Sequence, residues 1–233
     1  MRGIVSLAFA GAGLRGTMYA RQAVASGRAR VVAVAEPRPQ VRERFAAEFG
    51  IPPENTFATW EDMLTLPRLA DAVVIGTQDS LHAGPAIAAA ERGYQILLEK
   101  PMAATERDCV RIADAAQRAG VMLAVCHVMR YTPYTQALKK LLDAGRIGEI
   151  VSIQHLEPVG WWHQAHSFVR GNWRREDESS PMLLAKACHD VDWLIYLMGQ
   201  VPSRVSSFGG LHHFRPEQRP AGAASRCLDC AVE

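Results

Sequence analysis

A glycine-rich turn close to the start of the chain constrains the fold more than any other feature. Residues 3–10 are apolar and include β-branched side chains, which is typical of a buried strand, and residues 14–26 have the amphipathic pattern of a helix. Between them lies the pattern G-x-G-x-x-G, formed by Gly11, Gly13 and Gly16. In this context the first glycine permits a tight turn, the second lets the backbone approach a pyrophosphate, and the third lets helix and strand pack closely. The sequence therefore predicts a dinucleotide-binding turn, with a glycine turn that binds nothing as the alternative.

An acidic residue follows at the spacing that such a turn requires. Residues 30–35 are predicted to form the next strand, which leads into Glu36, 20 residues after Gly16. A carboxylate at this position accepts hydrogen bonds from the adenosine ribose hydroxyls, and it repels a 2′-phosphate. We therefore expect NAD as the cofactor, while Arg38 and Arg15 keep NADP possible because either could reach a phosphate.

Strands and helices alternate through the first half of the chain. Further predicted strands lie at 72–75, 96–98 and 121–126, and predicted helices lie at 41–49, 81–92 and 105–118. This alternation predicts an α/β fold with a doubly wound parallel sheet. We expect residues 1–125 to form one nucleotide-binding domain.

Charged residues follow the strand at 96–98 in the order Glu99-Lys100-Pro101. Ligands of open parallel sheets bind beyond the carboxyl ends of the strands, so this ionic pair is expected beside the ligand. Ordinary solvated charges are the alternative interpretation. His82 is predicted to lie in a strand-to-helix loop near the same crevice, either as a cofactor contact or as a residue that hydrogen-bonds a helix end.

Composition narrows the class of protein. The 233 residues are 48% hydrophobic, enough to fill a core, and 26 basic against 24 acidic residues leave a net charge of +2. That surplus is too small to predict binding to nucleic acid or to an anionic membrane. Neither a signal peptide nor a membrane span is predicted, and five cysteines are an odd number for disulfide pairing. We therefore expect a cytoplasmic protein with reduced thiols.

Several motifs occur together in the order found in one family. They are GAGLRG at 11–16, Glu36, TQDSLH at 77–82, LLEKPMA at 97–103, RYTPYTQALKKLLDAGRIGEIVSIQH at 130–155 and CHDVDWLIYLMG at 188–199. With these motifs the chain resembles the glucose-fructose oxidoreductase and inositol dehydrogenase family, often called Gfo/Idh/MocA. The resemblance covers nearly the whole chain.

The resemblance implies a Rossmann domain followed, over residues 126–233, by an α+β substrate domain with an open, mostly antiparallel sheet. Members of the family are usually longer, so this sheet is expected to be incomplete. We expect a homo-oligomer, a dimer or tetramer, assembled through it. The resemblance also implies NAD(P)-dependent oxidation or reduction of a sugar-like hydroxyl, with Lys100 as the catalytic lysine and His189 as the catalytic histidine.

The second half also contains a segment rich in aromatic and polar side chains. A helix at 132–144 and a strand at 149–156 are predicted before it. Residues 161–173 hold three tryptophans without a helical or strand period, which predicts a ligand-binding loop. Tryptophan faces stack on sugars, and the neighbouring donors can orient hydroxyls or an acidic group. Burial of the aromatic rings beneath the loop is the alternative.

A helix predicted within residues 181–198 places Lys186 and His189 on one face. Lys186 is expected to lower the pKa of His189 by repulsion, and His189 to accept a proton. A structural salt bridge between Lys186 and Asp190 is the alternative. The commoner family pattern has an aspartate four residues before the histidine, where this chain has Ala185, so Lys186 is the nearest replacement.

The sequence thus predicts a NAD(P)-dependent dehydrogenase that acts on a CH–OH group of a sugar, sugar acid or cyclitol. A redox-neutral lyase or glycosidase that uses NAD transiently, and a non-catalytic nucleotide-binding protein, are the alternatives. No metal is expected, because Cys227 and Cys230 form a C-x-x-C motif that is only half of a zinc or iron-sulfur site. Predicted catalytic residues are Lys100, His189 and Lys186. Predicted cofactor contacts are Gly11, Ala12, Gly13, Leu14, Arg15, Gly16, Glu36, Arg38, Thr77, Gln78, His82, Glu99 and Lys100. Predicted substrate contacts are His127, Arg130, Trp162, His163, His166, Arg170, Asn172 and Trp173.

Overall fold

The computed structural model describes residues 3–231, apart from the side chain of Cys227. A parallel six-stranded sheet occupies the first half of the chain. Its strands are β1 (Val5–Ala10), β2 (Ala29–Ala35), β3 (Thr56–Phe57), β4 (Ala72–Ile75), β5 (Gln95–Leu98) and β6 (Leu123–Val125). They lie in the order β3-β2-β1-β4-β5-β6, and all neighbours are parallel. The predicted doubly wound sheet is therefore confirmed, and its strand order changes direction between β1 and β4, where such sheets bind ligands.

Helices connect these strands and continue into the second half. They are α1 (Leu14–Ala25), α2 (Pro39–Phe49), α3 (Trp60–Thr65), α4 (Ala83–Glu91), α5 (Glu106–Ala119), α6 (Pro133–Asp143), α7 (Trp161–His163) and α8 (Met182–Met198). Threonine hydroxyls at 59, 105 and 132 accept hydrogen bonds from backbone N–H groups at the starts of α3, α5 and α6. Left-handed glycines at 50, 120 and 199 end α2, α5 and α8. Apart from the cap of α3, a helix that the sequence did not predict, these capping residues explain why helix ends were predictable from sequence.

The core lies on both faces of the sheet because alternate strand residues point to opposite sides. On one face Phe9, Val34 and Val74 pack with Phe45 of α2. The other face, which includes Val73 and Ile75, packs against α3, α4 and α5 through the buried side chains of Met63, Leu64, Ala86, Ala89, Ala90, Ile112 and Ala115. The sheet is therefore covered on both sides, and its residues meet solvent or ligand mainly at the strand ends.

The second half departs from the sequence prediction. Within residues 3–231 no strand follows β6, so neither the predicted strand at 149–156 nor a mostly antiparallel sheet is formed in the part of the chain described. Val151 is 95% exposed and Leu156 is 84% exposed. The segment has the alternating pattern of a strand, but a strand needs a neighbour for its backbone hydrogen bonds, and no described segment pairs with it.

Helix α8 connects the second half to the end of the first. The indole N–H of Trp193 donates to the Thr135 hydroxyl (2.9 Å), and the guanidinium of Arg130 forms a two-point ion pair with Asp192 (2.7 and 2.5 Å). These bonds hold α8 against α6 and the turn that precedes it. Within residues 3–231 no helix is long and apolar enough to cross a membrane.

Candidate functional site

The glycine turn between β1 and α1 is built by close backbone contacts. Gly11 has a φ of +96°, and a Cβ atom there would lie 2.7 Å from the carbonyl oxygen of Gly76. A Cβ atom on Gly16 would lie 2.2 Å from the carbonyl oxygen of Gly11. These two positions therefore require glycine. Gly13 differs, because a Cβ atom there would meet only the side chain of Arg38, at 3.7 Å, so the start of α1 is left open for a close approach by a ligand.

Glu36 closes the other side of this turn. Its carboxylate, 2% exposed, accepts hydrogen bonds from the backbone N–H of Ala12 (3.0 Å) and from the guanidinium of Arg38 (2.7 and 3.0 Å). Burial would raise the pKa of Glu36, but these hydrogen bonds outweigh it and hold that pKa below its ordinary value. Arg38 is thus paired with the acid while most of its side chain remains exposed. A cleft of about 390 Å³ lies beside the pair, lined by Ala12, Gly13, Leu14, Thr17, Arg21, Arg38, Val41 and Arg44.

The loop after β4 carries Thr77, Gln78 and His82. The Thr77 hydroxyl is buried and has no hydrogen-bond partner among the described residues, so it is available to a ligand. The His82 side chain is fully buried, and its ring nitrogens lie 2.9 Å from the carbonyl of Pro101 and 3.3 Å from that of Thr77. This geometry favours His82 as a structural hydrogen bonder, because each ring nitrogen faces a backbone carbonyl and neither is left for a cofactor. Gln78 precedes the short helical turn Asp79–Leu81.

Glu99 and Lys100 stand at the carboxyl end of β5, as predicted. The Glu99 carboxylate accepts hydrogen bonds from the Tyr19 hydroxyl (2.6 Å) and from the backbone N–H of Lys100 (2.6 Å), and Arg15 lies 3.9 Å away. Burial and the bond to Glu99 raise the pKa of Tyr19 above its ordinary value. Nζ of Lys100 donates to the carbonyl oxygen of Ala185 (2.9 Å) in α8. Lys100 therefore joins the sheet edge to the helix that carries His189.

His189 and His127 meet edge to face beside Lys100, with ring centroids 6.2 Å apart. The Nδ1 atom of each ring is buried and has no hydrogen-bond partner among the described residues. Burial, then repulsion by Lys100 and by His127, lowers the pKa of His189 to about 4. The sequence prediction named Lys186 as the cation responsible. That attribution is wrong, because the ammonium that acts on His189 is that of Lys100, which reaches α8 from β5.

The acidic neighbours of His189 on α8 are paired elsewhere. Asp190 lies 2.6 Å from Nε2 of His155, so the predicted alternative of a Lys186–Asp190 salt bridge is not formed. Asp192 is occupied by Arg130 and lies 3.9 Å from His127. The guanidinium of Arg130 also lies over the ring of Tyr196, 5.1 Å from its centroid. Arg130, predicted as a substrate contact, is thus already committed to a structural ion pair.

Lys186 and His163 form a second polar pair. Nζ of Lys186 lies 3.4 Å from Nδ1 of His163, and the ring of Trp162 stacks on the same imidazole at 5.3 Å. Burial followed by repulsion from Lys100 lowers the pKa of Lys186. Burial followed by repulsion from Lys186 lowers the pKa of His163.

The tryptophan-rich segment is helical, which corrects the prediction of an irregular loop. The short helix α7 continues as a π-helix over Gln164–Val169. A π-helix is rare and has a wider backbone repeat than the α-helix, so neither regular period was visible in the sequence. Of the predicted substrate contacts, His166, Arg170 and Asn172 are exposed. The indole N–H of Trp173 instead donates to the buried carboxylate of Asp79 (2.9 Å).

Asp79 is the main residue that the sequence analysis missed, together with Tyr19. Its carboxylate, 5% exposed, also accepts a hydrogen bond from the Ser180 hydroxyl (2.5 Å). Asp79 therefore ties the segment before α8 to the ligand edge of the sheet. Its partners lie about a hundred residues away in the chain, so no local sequence pattern could predict the contact.

One group of possible metal ligands comes together among residues 3–231: His155, Glu157 and Asp190, whose ligand atoms all lie within 4.8 Å of one another. Lys186 carries a positive charge close to Glu157, which disfavours a cation there. The absence of a metal stays a prediction. The predicted half-site at Cys227 and Cys230 lies partly outside the described residues, because the side chain of Cys227 is not among them.

Comparison with known proteins agrees with this geometry. Residues 5–127 match the family model described as the oxidoreductase family, NAD-binding Rossmann fold, and residues 139–232 match the model of its C-terminal alpha/beta domain. The chain belongs to the Gfo/Idh/MocA oxidoreductase family.

Relatives in this family include proteins named for sugar-like compounds. The 2,7-anhydro-N-acetylneuraminate hydratase of Mediterraneibacter gnavus is 31% identical over 88% of this chain and 52% of its own length. The levoglucosan dehydrogenase of Pseudarthrobacter phenanthrenivorans is 31% identical over 72% of this chain and 42% of its own length. A solved levoglucosan dehydrogenase in complex with NADH and levoglucosan has a TM-score of 0.72 at 28% identity, over 84% of this chain and 54% of that one. The chain therefore spans about half the length of the relatives it matches.

Proposed function

We propose that this protein is a NAD(P)-dependent dehydrogenase that transfers a hydride between the nicotinamide and a CH–OH group of a sugar, sugar acid or cyclitol. The observation that carries the proposal is the position of Lys100. It follows β5, which only β4 separates from the topological switch point, and its ammonium is bonded to α8 four residues before His189. A cation and an imidazole thus share the ligand edge of a dinucleotide-type sheet. The levoglucosan dehydrogenase complex with NADH supports the same reading for this chain.

The residues at the turn fit a dinucleotide. The start of α1 is open at Gly13, the Thr77 hydroxyl is buried without a partner, and the Glu36 carboxylate stands beside the cleft. We assign the pyrophosphate to the turn at 11–16, the adenosine ribose to Glu36, and the nicotinamide side to Thr77 and Lys100. The nicotinamide, when bound, supplies the hydride acceptor or donor.

The polar residues of the chain have separate roles in this proposal. Lys100 binds the reacting oxygen and stabilises negative charge as it develops there. His189, neutral at the pH of the cytoplasm because its pKa is lowered to about 4, accepts the hydroxyl proton. His127 packs against the His189 ring and limits its orientation. Lys186 remains a prediction as a third functional residue.

Three further predictions belong to this proposal. We place the division between cofactor and substrate domains at residues 125 and 126, since β6 ends at Val125 and the last sheet contact lies there. We propose a homo-oligomer, for which light scattering is the measurement. We also propose a cytoplasmic location, on the basis of the cysteine content that the sequence shows.

A redox-neutral reaction is the second candidate, and one specific observation favours it: the relative from Mediterraneibacter gnavus is named a hydratase. A site that oxidises, eliminates and reduces again leaves no net NADH. The third candidate, a nucleotide-binding protein without turnover, has the same fold.

A substrate screen with NADH fluorescence separates these candidates. The purified chain is incubated with NAD and with a panel of sugars, sugar acids and inositols, while the organic products are followed in parallel by chromatography. Net NADH that requires Lys100 supports the dehydrogenase. Product without net NADH would point to the redox-neutral reaction. Cofactor binding without any product across the panel contradicts both enzymes.

A further inference from the structure

Two ammonium groups and several imidazoles converge on the first turns of α8. Nζ of Lys100 bonds to the carbonyl of Ala185, and Lys186 is the next residue along the helix. Nζ of Lys186 in turn lies 3.4 Å from the imidazole of His163. Lys100 acts electrostatically on Lys186, His163 and His189, so these four residues form one cluster whose positive charge is that of the two ammonium groups.

The charge of this cluster is not balanced by the described part of the chain. Neither Lys100 nor Lys186 has a carboxylate oxygen within 4 Å among residues 3–231, where ion pairs of that length are otherwise common. The buried carboxylate of Glu99 is held by Tyr19 and by a backbone N–H. Asp190 is held by His155. Glu157 is exposed and attracts Lys186 only as a secondary influence.

Such an arrangement costs free energy in the absence of a ligand. Placing Lys186 near Lys100 while partly burying it opposes the charged form of Lys186, and burial followed by repulsion from Lys100 lowers the pKa of Lys186. A neutral hydroxyl does not offset this repulsion, whereas an anionic group does. Partly buried cations of this kind, held without a carboxylate at a ligand edge, are typical of sites that bind anions.

From this geometry we infer that the substrate carries a carboxylate, which binds to Lys186 and His163 while Lys100 holds the reacting oxygen. This inference rests on the proposed function and narrows its substrate class to sugar acids. The stacked ring of Trp162 fixes the imidazole of His163, so that pair offers a cation and a hydrogen-bonding ring in one orientation. The apolar face of Phe168 lies 6.0 Å from Nζ of Lys186 and helps to keep that ammonium in place.

The test compares binding of matched ligands and does not depend on turnover. Calorimetry with the full chain and NAD measures D-glucuronate, D-galacturonate and D-mannuronate, each against its uronamide and its parent hexose. We expect at least one acid to bind ~10-fold or more tightly than its amide and hexose, since a charge-assisted hydrogen bond contributes about 1.5–3 kcal/mol. In Lys186→Gln that preference should fall by the same factor, and His163→Gln should reduce it in part.

The exposed lysine of α6 supplies a matched control, since Lys140→Gln removes one positive charge away from the cluster and should leave the preference unchanged. Circular dichroism verifies that each variant is folded. Equal binding of acid and amide, binding of the acid unchanged in Lys186→Gln, or no binding of any acid in the series overturns the inference. Selective binding of an acid that gives no NADH supports the inference and contradicts the dehydrogenase, so the two failures are distinguishable.

Discussion

Nζ of Lys100 donates a hydrogen bond of 2.9 Å to the backbone carbonyl of Ala185. This single bond connects the end of β5 to the helix that carries the predicted proton acceptor. Ala185 stands where the commoner family pattern has an aspartate, and the group that holds Lys100 here is its main-chain oxygen. The ammonium is therefore held but not neutralised, and its full charge acts on the neighbouring imidazoles.

Replacement of Lys100 by methionine should separate catalysis from cofactor binding. In Lys100→Met the reacting oxygen loses its cation, so we expect turnover to become undetectable, while the turn at 11–16 and Glu36 still bind NAD with an affinity within a few fold of wild type. Stopped-flow or coupled fluorescence measures the first quantity and calorimetry the second. Lys140→Met is the control for loss of a surface charge. Near wild-type turnover in Lys100→Met would rule out the assigned role.

The same substitution should change the titration of His189. Burial and Lys100 hold its pKa at about 4, so removal of the ammonium should raise that pKa toward the ordinary value of about 6.5. NMR of isotope-labelled histidine, assigned with His189→Gln, measures the shift. Lys186→Met should move it much less, because Lys186 is not among the groups that act most on His189. A larger shift in Lys186→Met than in Lys100→Met would restore the sequence-based attribution.

The lowered pKa of His189 also has a consequence for stability. Between about pH 6.5 and about pH 4 the unfolded chain binds a proton at this residue that the folded chain does not, so the free energy of unfolding falls as the pH falls through that window. Above about pH 6.5 the imidazole is neutral in both the folded and the unfolded chain, so the free energy of unfolding no longer depends on its titration. Urea unfolding at several pH values should therefore show a shallower acid-side decline in His189→Gln than in wild type. Parallel slopes would contradict the buried, neutral imidazole.

Asp79 provides a prediction about the fold of the segment before α8. In Asp79→Ala the indole N–H of Trp173 and the hydroxyl of Ser180 lose their shared acceptor, and each buried donor left unpaired costs about 1–3 kcal/mol. We expect a loss of about 2–4 kcal/mol in the free energy of unfolding, with faster amide hydrogen exchange over residues 161–180. Asp114→Ala, at an exposed position of α5, should change neither. Unchanged exchange in Asp79→Ala would show that the segment is held by other contacts.

Much of the first half was predictable because its signals are local. Glycines at fixed offsets, short apolar runs and threonine caps each act within a few residues, so the sheet, its helices and the position of Lys100 follow from sequence. The short strand β3 and helix α3 were missed. The two residues of β3 pair only with Val34 and Ala35, and so few residues cannot form a pattern.

The candidate site was less predictable because its contacts are distant in sequence. Lys186 and His189 were singled out on α8 from the sequence, but the contacts of this region were not, since Lys100, Asp79 and Arg130 reach it from the sheet and its loops. The predicted strand at 149–156 failed for a related reason. An alternating pattern shows that a segment prefers the extended conformation, but a strand forms only where another strand pairs with it.

Cofactor choice gives the last prediction, because the Glu36–Arg38 pair bears on it in two opposite ways. As proposed, the carboxylate would accept hydrogen bonds from the ribose hydroxyls and repel a 2′-phosphate, whereas the guanidinium would attract one. While the pair is intact, Arg38 is occupied, so wild type should bind NAD more tightly than NADP. In Glu36→Ala the acid is lost and Arg38 is released, so NAD should weaken by about 10-fold and NADP should gain.

A double-mutant comparison isolates the contribution of Arg38. Glu36→Ala combined with Arg38→Ala should lose the gain toward NADP while keeping the weaker binding of NAD, because no released guanidinium remains to meet the phosphate. Fluorescence titration of both cofactors with all four proteins measures the preference. Glu48→Ala, which releases Arg21 in the lining of the same cleft, is the control for a freed arginine that is not paired with Glu36. Tighter binding of NADP by wild type, unchanged in Glu36→Ala, would defeat the assignment of NAD.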